Sequence, residues 1–111
     1  MEFIEQKVGS AIILELSGRL DATNSGDLES KLFKLIDVDE KNIILDCSRL
    51  DYISSSGLRV CLVALKKVSG LKGNFILCSM NDNIKQIFDI SGFSNIFKIL
   101  NDKEEALNSI E

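Results

Sequence analysis

Residues 51–67 have the sequence Asp-Tyr-Ile-Ser-Ser-Ser-Gly-Leu-Arg-Val-Cys-Leu-Val-Ala-Leu-Lys-Lys, and the predicted fold is organised around them. They join an apolar strand candidate, residues 43–46, to the most apolar helix candidate of the chain. Three consecutive serines and Gly57 lie between these two elements. A polar turn at the start of a helix lies at the surface and offers free backbone N–H groups to an anion. We therefore expect the functional site at this turn, either for phosphate or for a partner protein.

The length and composition of the chain favour one domain over residues 1–111. A hydrophobic content of 45% is enough for a core without metal or disulfide support. The first apolar run, residues 11–16, is too short for a signal peptide, and no run approaches the roughly 20 residues that cross a bilayer. We expect a cytoplasmic protein with no membrane insertion.

Charge and residue types exclude several functions. The net charge is −4 and the cations are scattered, which argues against nucleic-acid binding. The chain has no histidine, so Ser-His catalysis and ordinary histidine metal sites are excluded, and the serine turn lacks the glycines and lysine of a Walker loop. Cys47, Cys61 and Cys78 lack C-x-x-C spacing and are expected to be buried free thiols in a reducing cytosol. The sequence predicts no enzyme, no metal and no cofactor.

The alternation and spacing of apolar residues predict five strands, at residues 2–6, 11–17, 42–47, 74–78 and 96–100. A turn at residues 8–10 would join the first two strands in an antiparallel hairpin. A connecting loop is expected at residues 18–24. The continuous apolar run at 42–47 is typical of a central strand that helices cover. The strand, helix and strand that follow indicate a right-handed parallel crossover.

Four helices are predicted between and after these strands. Asn24 is the expected N-cap of the first, and the second is expected at about residues 56–68. Asn81 should cap the third, and Asp102 with Glu105 resembles a capping box for the fourth. Their inward faces are expected to carry Leu28, Leu32, Leu35 and Ile36 in the first helix, Ile84, Ile87 and Phe88 in the third, and Ala106, Leu107 and Ile110 in the fourth. The pattern as a whole is that of an α/β domain with a mixed sheet.

The second helix has two apolar arcs. One, expected to face the core, carries Leu58, Cys61, Leu62, Leu65 and Val68. The opposite arc carries Ser56, Val60, Val63 and Lys67. Either a neighbouring helix covers the two valines, or they form a partner-binding stripe beside the serines.

The serines themselves allow two interpretations. One of them can cap the second helix, because serine is a usual N-cap residue. An exposed serine at a helix N-terminus is also a suitable phosphorylation site, where phosphate gains from the helix dipole and adds about −1.5 to −2 charges. Such a charge beside Val60 and Val63 would repel an acidic partner. The residues alone leave both interpretations open.

Four segments together resemble the STAS domain, and within it the bacterial anti-sigma factor antagonists. They are residues 18–22 (Gly-Arg-Leu-Asp-Ala), 43–46 (Ile-Ile-Leu-Asp), 50–60 (Leu-Asp-Tyr-Ile-Ser-Ser-Ser-Gly-Leu-Arg-Val) and 88–93 (Phe-Asp-Ile-Ser-Gly-Phe). The match covers nearly the whole chain in order, and the serine-glycine-leucine turn is its most specific part. The resemblance implies a STAS-like α/β domain with a mixed sheet of four to five strands and about four helices packed on one side.

The resemblance also implies a function. The domain would bind an anti-sigma factor that is also a serine kinase, and so release a sigma factor. The kinase would phosphorylate the turn and end binding, and a serine phosphatase would restore it. The family pattern places the phosphorylated residue at Ser55, with Ser56 as second choice, while Ser54 stands where the family often has aspartate. The partner-binding residues would be Asp21, Ser54, Ser56, Gly57, Arg59, Val60 and Val63.

Two other functions fit a STAS-like domain: a subunit of another regulatory or lipid-transport complex, and a module that binds a small ligand. The intact serine turn favours the anti-sigma factor antagonist.

Overall fold

A single mixed sheet forms the centre of the molecule in the computed structural model, which describes residues 2–110. Its strands lie in the order of the chain, so each strand pairs with the next one. They are β1 (Phe3–Val8), β2 (Ala11–Leu20), β3 (Asn42–Ile53), β4 (Asn74–Cys78) and β5 (Lys98–Leu100). The prediction of five strands is confirmed, with β4 at its predicted residues.

The first two strands form the predicted antiparallel hairpin. Phe3 pairs with Leu16 at one end, and Val8 pairs with Ala11 at the other. Strand β1 therefore runs two residues beyond its predicted end, and the loop is only two residues long. Gly9 has a φ of +60°, a value that the first position of such a short loop requires and that glycine adopts without strain.

The remaining strands run parallel to β2, and a helix connects each pair. The helices are α1 (Ser25–Asp37), α2 (Ser55–Gly70) and α3 (Asp82–Ile90), followed by a short 3-10 turn (Phe93–Asn95) and by α4 (Lys103–Ile110) after β5. Both β2 and β3 are longer than predicted, because they stay paired as far as Leu20 and Ile53, with two register irregularities in between. Part of the predicted loop at 18–24 is therefore strand.

Apolar side chains fill both faces of the sheet. The larger core lies between the sheet and α1, α2 and α3, and includes Ile43 and Leu45 of the central strand. The smaller core lies under α4 on the opposite face, where Ala106 packs with Ala11, Ile13, Ile44, Ile76 and Cys78. The expectation that all helices pack on one side is therefore wrong for α4. Successive residues of a strand point to opposite faces, so a strand that is apolar at every position needs a cover on both.

Side-chain caps fix the starts of the helices, with one exception. Asn81 accepts a hydrogen bond from the N–H of Ile84 at 2.9 Å, and Asp102 accepts one from Glu105 at 2.8 Å, as predicted. Asn24 occupies the N-cap position of α1, as predicted, but its side chain makes no hydrogen bond to the helix. Its side-chain amide bonds instead to the backbone of Arg19 and Asp21 in the preceding loop.

The three cysteines are buried free thiols, as predicted. Burial raises the pKa of Cys61 to about 12 and that of Cys78 to about 11. It raises the pKa of Cys47 as well, again because a thiolate would lose its hydration. None of the helices within residues 2–110 is long and apolar enough to cross a membrane.

The raised thiol pKa values predict a loss of stability in alkali. An unfolded thiol releases its proton near its ordinary pKa, whereas the buried thiol of Cys61 keeps its proton up to about pH 12. The free energy of unfolding should therefore fall as the pH rises from about 9 towards 12. Removal of this thiol in Cys61→Ala should make the fall between about pH 9.5 and 10.5 smaller by about 1 kcal/mol.

Urea titrations at each pH measure this difference. The cavity left by alanine lowers the free energy of unfolding by a similar amount at both pH values. It therefore does not affect the comparison of how steeply this free energy falls with pH in the two proteins. Equal slopes for the wild type and Cys61→Ala would contradict the assignment.

Candidate functional site

The carboxyl ends of β2 and β3 meet at one edge of the sheet. Leu20 pairs with Ile53, and the N–H of Ser54 donates to the carbonyl oxygen of Leu20 at 2.9 Å. The loop that begins at Asp21 and the serine turn, residues 54–56, therefore leave the sheet side by side. In open α/β sheets, ligands commonly bind outside the carboxyl ends of the strands. The structure thus brings Asp21 together with the serines.

The three serines have different environments. Ser54 is the N-cap of α2: its backbone is extended, and its Oγ accepts a hydrogen bond from the N–H of Gly57 at 3.3 Å. The Oγ atoms of Ser54 and Ser56 lie 2.8 Å apart and share a hydrogen bond. Helix α2 therefore begins at Ser55, one residue before its predicted start. The capping interpretation holds for Ser54 and leaves Ser55 without a structural task.

Ser55 is exposed at the first position of α2. Within residues 2–110 its hydroxyl has no hydrogen-bond partner, unlike those of Ser54 and Ser56. The first N–H groups of a helix have no partner within the helix and face outwards. A phosphate on this hydroxyl would therefore meet free donors and the positive end of the helix dipole.

The neighbouring loop holds Asp21 in a fixed, ionised state. Its carboxylate accepts hydrogen bonds from the hydroxyl of Thr23 at 2.6 Å and from the N–H of Thr23 at 3.0 Å. These two bonds and the nearby Arg19 guanidinium lower the pKa of Asp21. Asn24 closes the loop, because it accepts from the N–H of Asp21 and donates to the carbonyl oxygen of Arg19. An ionised carboxylate, paired with the Arg19 guanidinium, therefore lies next to the serine turn at neutral pH.

Arg19 and Tyr52 form a contact that the sequence did not predict. The two residues are paired across β2 and β3, and the guanidinium carbon lies 4.3 Å from the centre of the tyrosine ring. The same guanidinium is 3.9 Å from the carboxylate of Asp21. The sequence predicts a loop at residues 18–24. Arg19 was therefore not expected to pair with a residue of β3, and its contact with Tyr52 was missed.

Gly57 allows α2 to approach the strands closely. It is buried, and a Cβ atom at this position would lie 2.9 Å from Cγ1 of Ile53 and 2.9 Å from Cγ of Leu20. Real Cβ atoms do not approach other carbons so closely. Gly57 therefore sets the position of the helix N-terminus, and with it the position of Ser55.

Val60 is part of the core, so its predicted role in partner binding is wrong. Its side chain is only 6% exposed and packs in the larger core. Helix α2 contacts α1 as well as the sheet, so its buried arc is wider than that of a helix that packs on a sheet alone. Val63 remains half-buried, and so does Leu62, which was expected in the core.

The outward side of α2 carries Ser55 near its N-terminal end. At 100° per residue, Ser55, Arg59, Leu62, Val63 and Lys66 fall within an arc of about 100°. We call these five residues the exposed face of α2. Arg59 and Lys66 are exposed, while the two apolar residues are half-buried. Of the four residues on the arc predicted from the sequence, only Val63 belongs to this face, whose exposed cations are Arg59 and Lys66.

A groove of about 440 Å³ lies at the same edge of the sheet, beside α3 and β5. Five of its nine lining residues are polar or charged: Asp82, Lys85, Asp89, Ser94 and Asn101. Small-molecule pockets are lined mostly by apolar side chains, so this groove differs from that type. Within residues 2–110 no group of three acidic or cysteine side chains is placed to hold a metal ion.

Comparison with known proteins places the chain in a family. Residues 3–106 match the model of the STAS domain, and the chain belongs to the STAS domain family. It is 37% identical to BtrV of Bordetella bronchiseptica, provisionally named an anti-sigma factor antagonist, over 96% of this chain and 91% of that protein.

Solved structures share the fold. A crystal structure from Thermotoga maritima, of a protein with the same provisional name, superposes with a TM-score of 0.93 at 25% identity and covers 97% of this chain and 93% of that one. The anti-sigma factor antagonist SpoIIAA in its unphosphorylated form gives a TM-score of 0.77 at 21% identity, covering 98% and 97%. Its phosphorylated form, from Bacillus, gives 0.77 at 22%, covering 99% and 100%. The fold of this chain is therefore that of the STAS domain.

The capping role of Ser54 predicts different effects for neighbouring serines. Ser54→Ala should lower the free energy of unfolding by about 1 kcal/mol, because the N–H of Gly57 loses its partner. Ser54→Asp should retain most of the stability, since aspartate is an equally good cap. Ser55→Ala serves as the control and should change stability by less than about 0.5 kcal/mol. Urea denaturation measures all three, and an equal loss for Ser54→Ala and Ser55→Ala would contradict the assignment.

The close approach at Gly57 predicts a loss of stability on substitution. Gly57→Ala should lower the free energy of unfolding by about 1 to 2 kcal/mol, because the clash with Leu20 and Ile53 exceeds the gain of about 1 kcal/mol in helix propensity. Gly26→Ala is the matched control, since it lies in the first turn of α1 with open space around it. It should be neutral or stabilising by up to about 1 kcal/mol. Thermal denaturation measures both variants, and an equal change in stability for Gly57→Ala and Gly26→Ala would contradict the clash.

Proposed function

We propose that this protein is an anti-sigma factor antagonist that is switched off by phosphorylation of Ser55. In its unmodified form it binds an anti-sigma factor with serine kinase activity and so releases a sigma factor. The observation that carries the proposal is the exposed, unbonded hydroxyl of Ser55, at the start of α2 and beside the exposed face of that helix. The similarity to BtrV over 96% of the chain supports the same function.

The hydrogen bonds of the serine turn favour Ser55 as the phosphorylated residue. Ser54 is occupied as the cap, and Ser56 is half-buried and bonded to Ser54. Modification of either would disturb the start of α2. Phosphate on Ser55 leaves the cap in place and is stabilised by the helix dipole, so the domain stays folded in both states. SpoIIAA, which shares the fold, is known in phosphorylated and unphosphorylated forms.

The added charge explains how modification would end binding. Phosphate contributes about −1.5 to −2 charges, and it would stand at the end of the exposed face of α2. Burial of that charge in an interface carries a large desolvation cost unless the partner supplies a cation. Asp21, which is ionised beside the turn, adds a like charge that Arg19 offsets in part. A serine phosphatase would remove the phosphate and restore binding.

The proposed interface is smaller than the one expected from the sequence. It keeps Asp21, Ser54, Ser56, Gly57, Arg59 and Val63, and it loses Val60 to the core. In this interface Arg59 and Val63 would contact the partner directly. Ser54 and Gly57 would act by fixing the position of α2. The protein would accordingly be a binding protein and a kinase substrate rather than an enzyme.

A phosphorylation assay tests the switch. The purified protein is incubated with ATP and each anti-sigma factor kinase of the same genome, and phosphate is mapped by mass spectrometry. We expect one phosphate, on Ser55, and none in Ser55→Ala, which should still bind the kinase. Ser55→Asp should bind about tenfold more weakly or less, a loss of about 1.4 kcal/mol. Ser10→Asp is the matched control, because Ser10 is exposed in the turn between β1 and β2, at the opposite end of the sheet, and it should bind like the wild type.

Phosphate on Ser56 alone, or equal binding by Ser55→Asp and Ser10→Asp, would show that Ser55 is not the switch. Absence of both phosphorylation and binding with every kinase would overturn the proposed function.

A further inference from the structure

Helix α2 is a positively charged element of an acidic protein. Residues 55–70 contain Arg59, Lys66 and Lys67 and no acidic residue, whereas the whole chain has a net charge of −4. Each of the other three helices described above contains at least two acidic side chains. The exposed face of α2 therefore differs in sign from the protein that carries it.

The cations of α2 are not neutralised by the protein itself. The ion pairs within residues 2–110 use Lys7, Arg19, Lys31, Arg49 and Lys103. Arg59 and Lys66 have no carboxylate within salt-bridge distance among these residues, and the ammonium of Lys67 lies 4.8 Å from the ring centre of Phe33. Arg59 and Lys66 are also exposed, so both are free to contact another molecule.

Ser55 and Arg59 are four residues apart on one side of α2, so their side chains are neighbours one turn apart. A negative group at the N-terminal position and a positive group at the C-terminal position is the favourable orientation of such a pair. Arginine also binds phosphate oxygens through two parallel hydrogen bonds. Lys66 lies eleven residues from Ser55, about 16 Å along the helix axis, and is out of reach of a phosphate on Ser55.

We propose that the partner presents an acidic surface to the exposed face of α2, and that a phosphate on Ser55 ends binding by capturing Arg59 within the helix. This inference rests on the function proposed above. Complementary charge selects the acidic partner, since Arg59 and Lys66 flank the half-buried Leu62 and Val63 on one face. Phosphorylation would then act twice: it adds a negative charge that faces the acidic partner, and it withdraws a cation that the partner needs.

Titration of the phosphate tests the capture without any partner. Phosphoserine is placed at position 55 of the full chain during translation, and its second pKa is measured by phosphorus NMR. Pairing with Arg59 stabilises the dianion, so this pKa should be lower in the wild type than in Arg59→Gln by about 0.2 to 0.4. Lys66→Gln is the matched control and should leave the pKa unchanged. Equal values for the wild type and Arg59→Gln, or an equal rise in both variants, would overturn the capture.

Binding to the kinase partner tests the acidic surface. Affinity of the unphosphorylated protein should fall at least severalfold between about 0.05 and 0.5 M salt. At low salt, Arg59→Gln should weaken binding severalfold, whereas Lys98→Gln, on the exposed edge strand β5, should not. Affinity that is independent of salt and of Arg59 would overturn the acidic partner. Failure of the wild type to bind any anti-sigma factor would overturn the proposed function and the acidic partner together, whereas the phosphate titration would still decide the capture.

Discussion

The hydrogen bond from the N–H of Ser54 to the carbonyl oxygen of Leu20 is the contact on which the site depends. It continues the pairing of β2 and β3 to the last residue of each strand. As a result the loop at Asp21 and the serine turn start from the same place, and α2 begins at a fixed height above the sheet. Gly57 then allows the helix to approach the strands. The position of Ser55 is therefore set by backbone pairing and packing rather than by its own side chain.

This arrangement separates the structural and functional tasks of adjacent residues. Ser54 supplies the cap, Gly57 supplies the close contact, and Ser55 between them makes no hydrogen bond within the described part of the chain. A residue with no structural task can accept a modification at little cost to the fold. Helix α2 is divided in the same way. Val60, Cys61 and Ala64 are buried on its core side, and the exposed face lies on the other side.

Much of the fold could be predicted from local patterns. The apolar run at β4, the caps Asn81 and Asp102, and the free buried cysteines are local signals, and the structure agrees with them. The order of strands and helices followed from their sequence and from the resemblance to STAS domains.

The errors arise where distant parts of the chain decide the outcome. Val60 is buried because α1 lies beside α2, and α4 covers the second face of the sheet because β3 and β4 are apolar on both faces. Polar residues near the end of β2 resemble a loop, yet pairing with β3 makes them strand. Asn24 takes the N-cap position predicted for it, but its side chain bonds to the Asp21 loop and not to the helix. In each case the residue pattern within one helix or strand does not show which other part of the chain packs against it.

The contact between Arg19 and Tyr52 gives the protein a built-in optical reporter. The chain has one tyrosine and no tryptophan, and that tyrosine stands two residues before the serine turn with a guanidinium 4.3 Å from its ring centre. The tyrosine bands of the near-ultraviolet circular dichroism and the tyrosine fluorescence, which differ in wavelength from the signals of the six phenylalanines, therefore arise from this edge of the sheet. A rearrangement of the Asp21 loop, through its contact with Arg19, would be visible in the spectrum of the unlabelled protein.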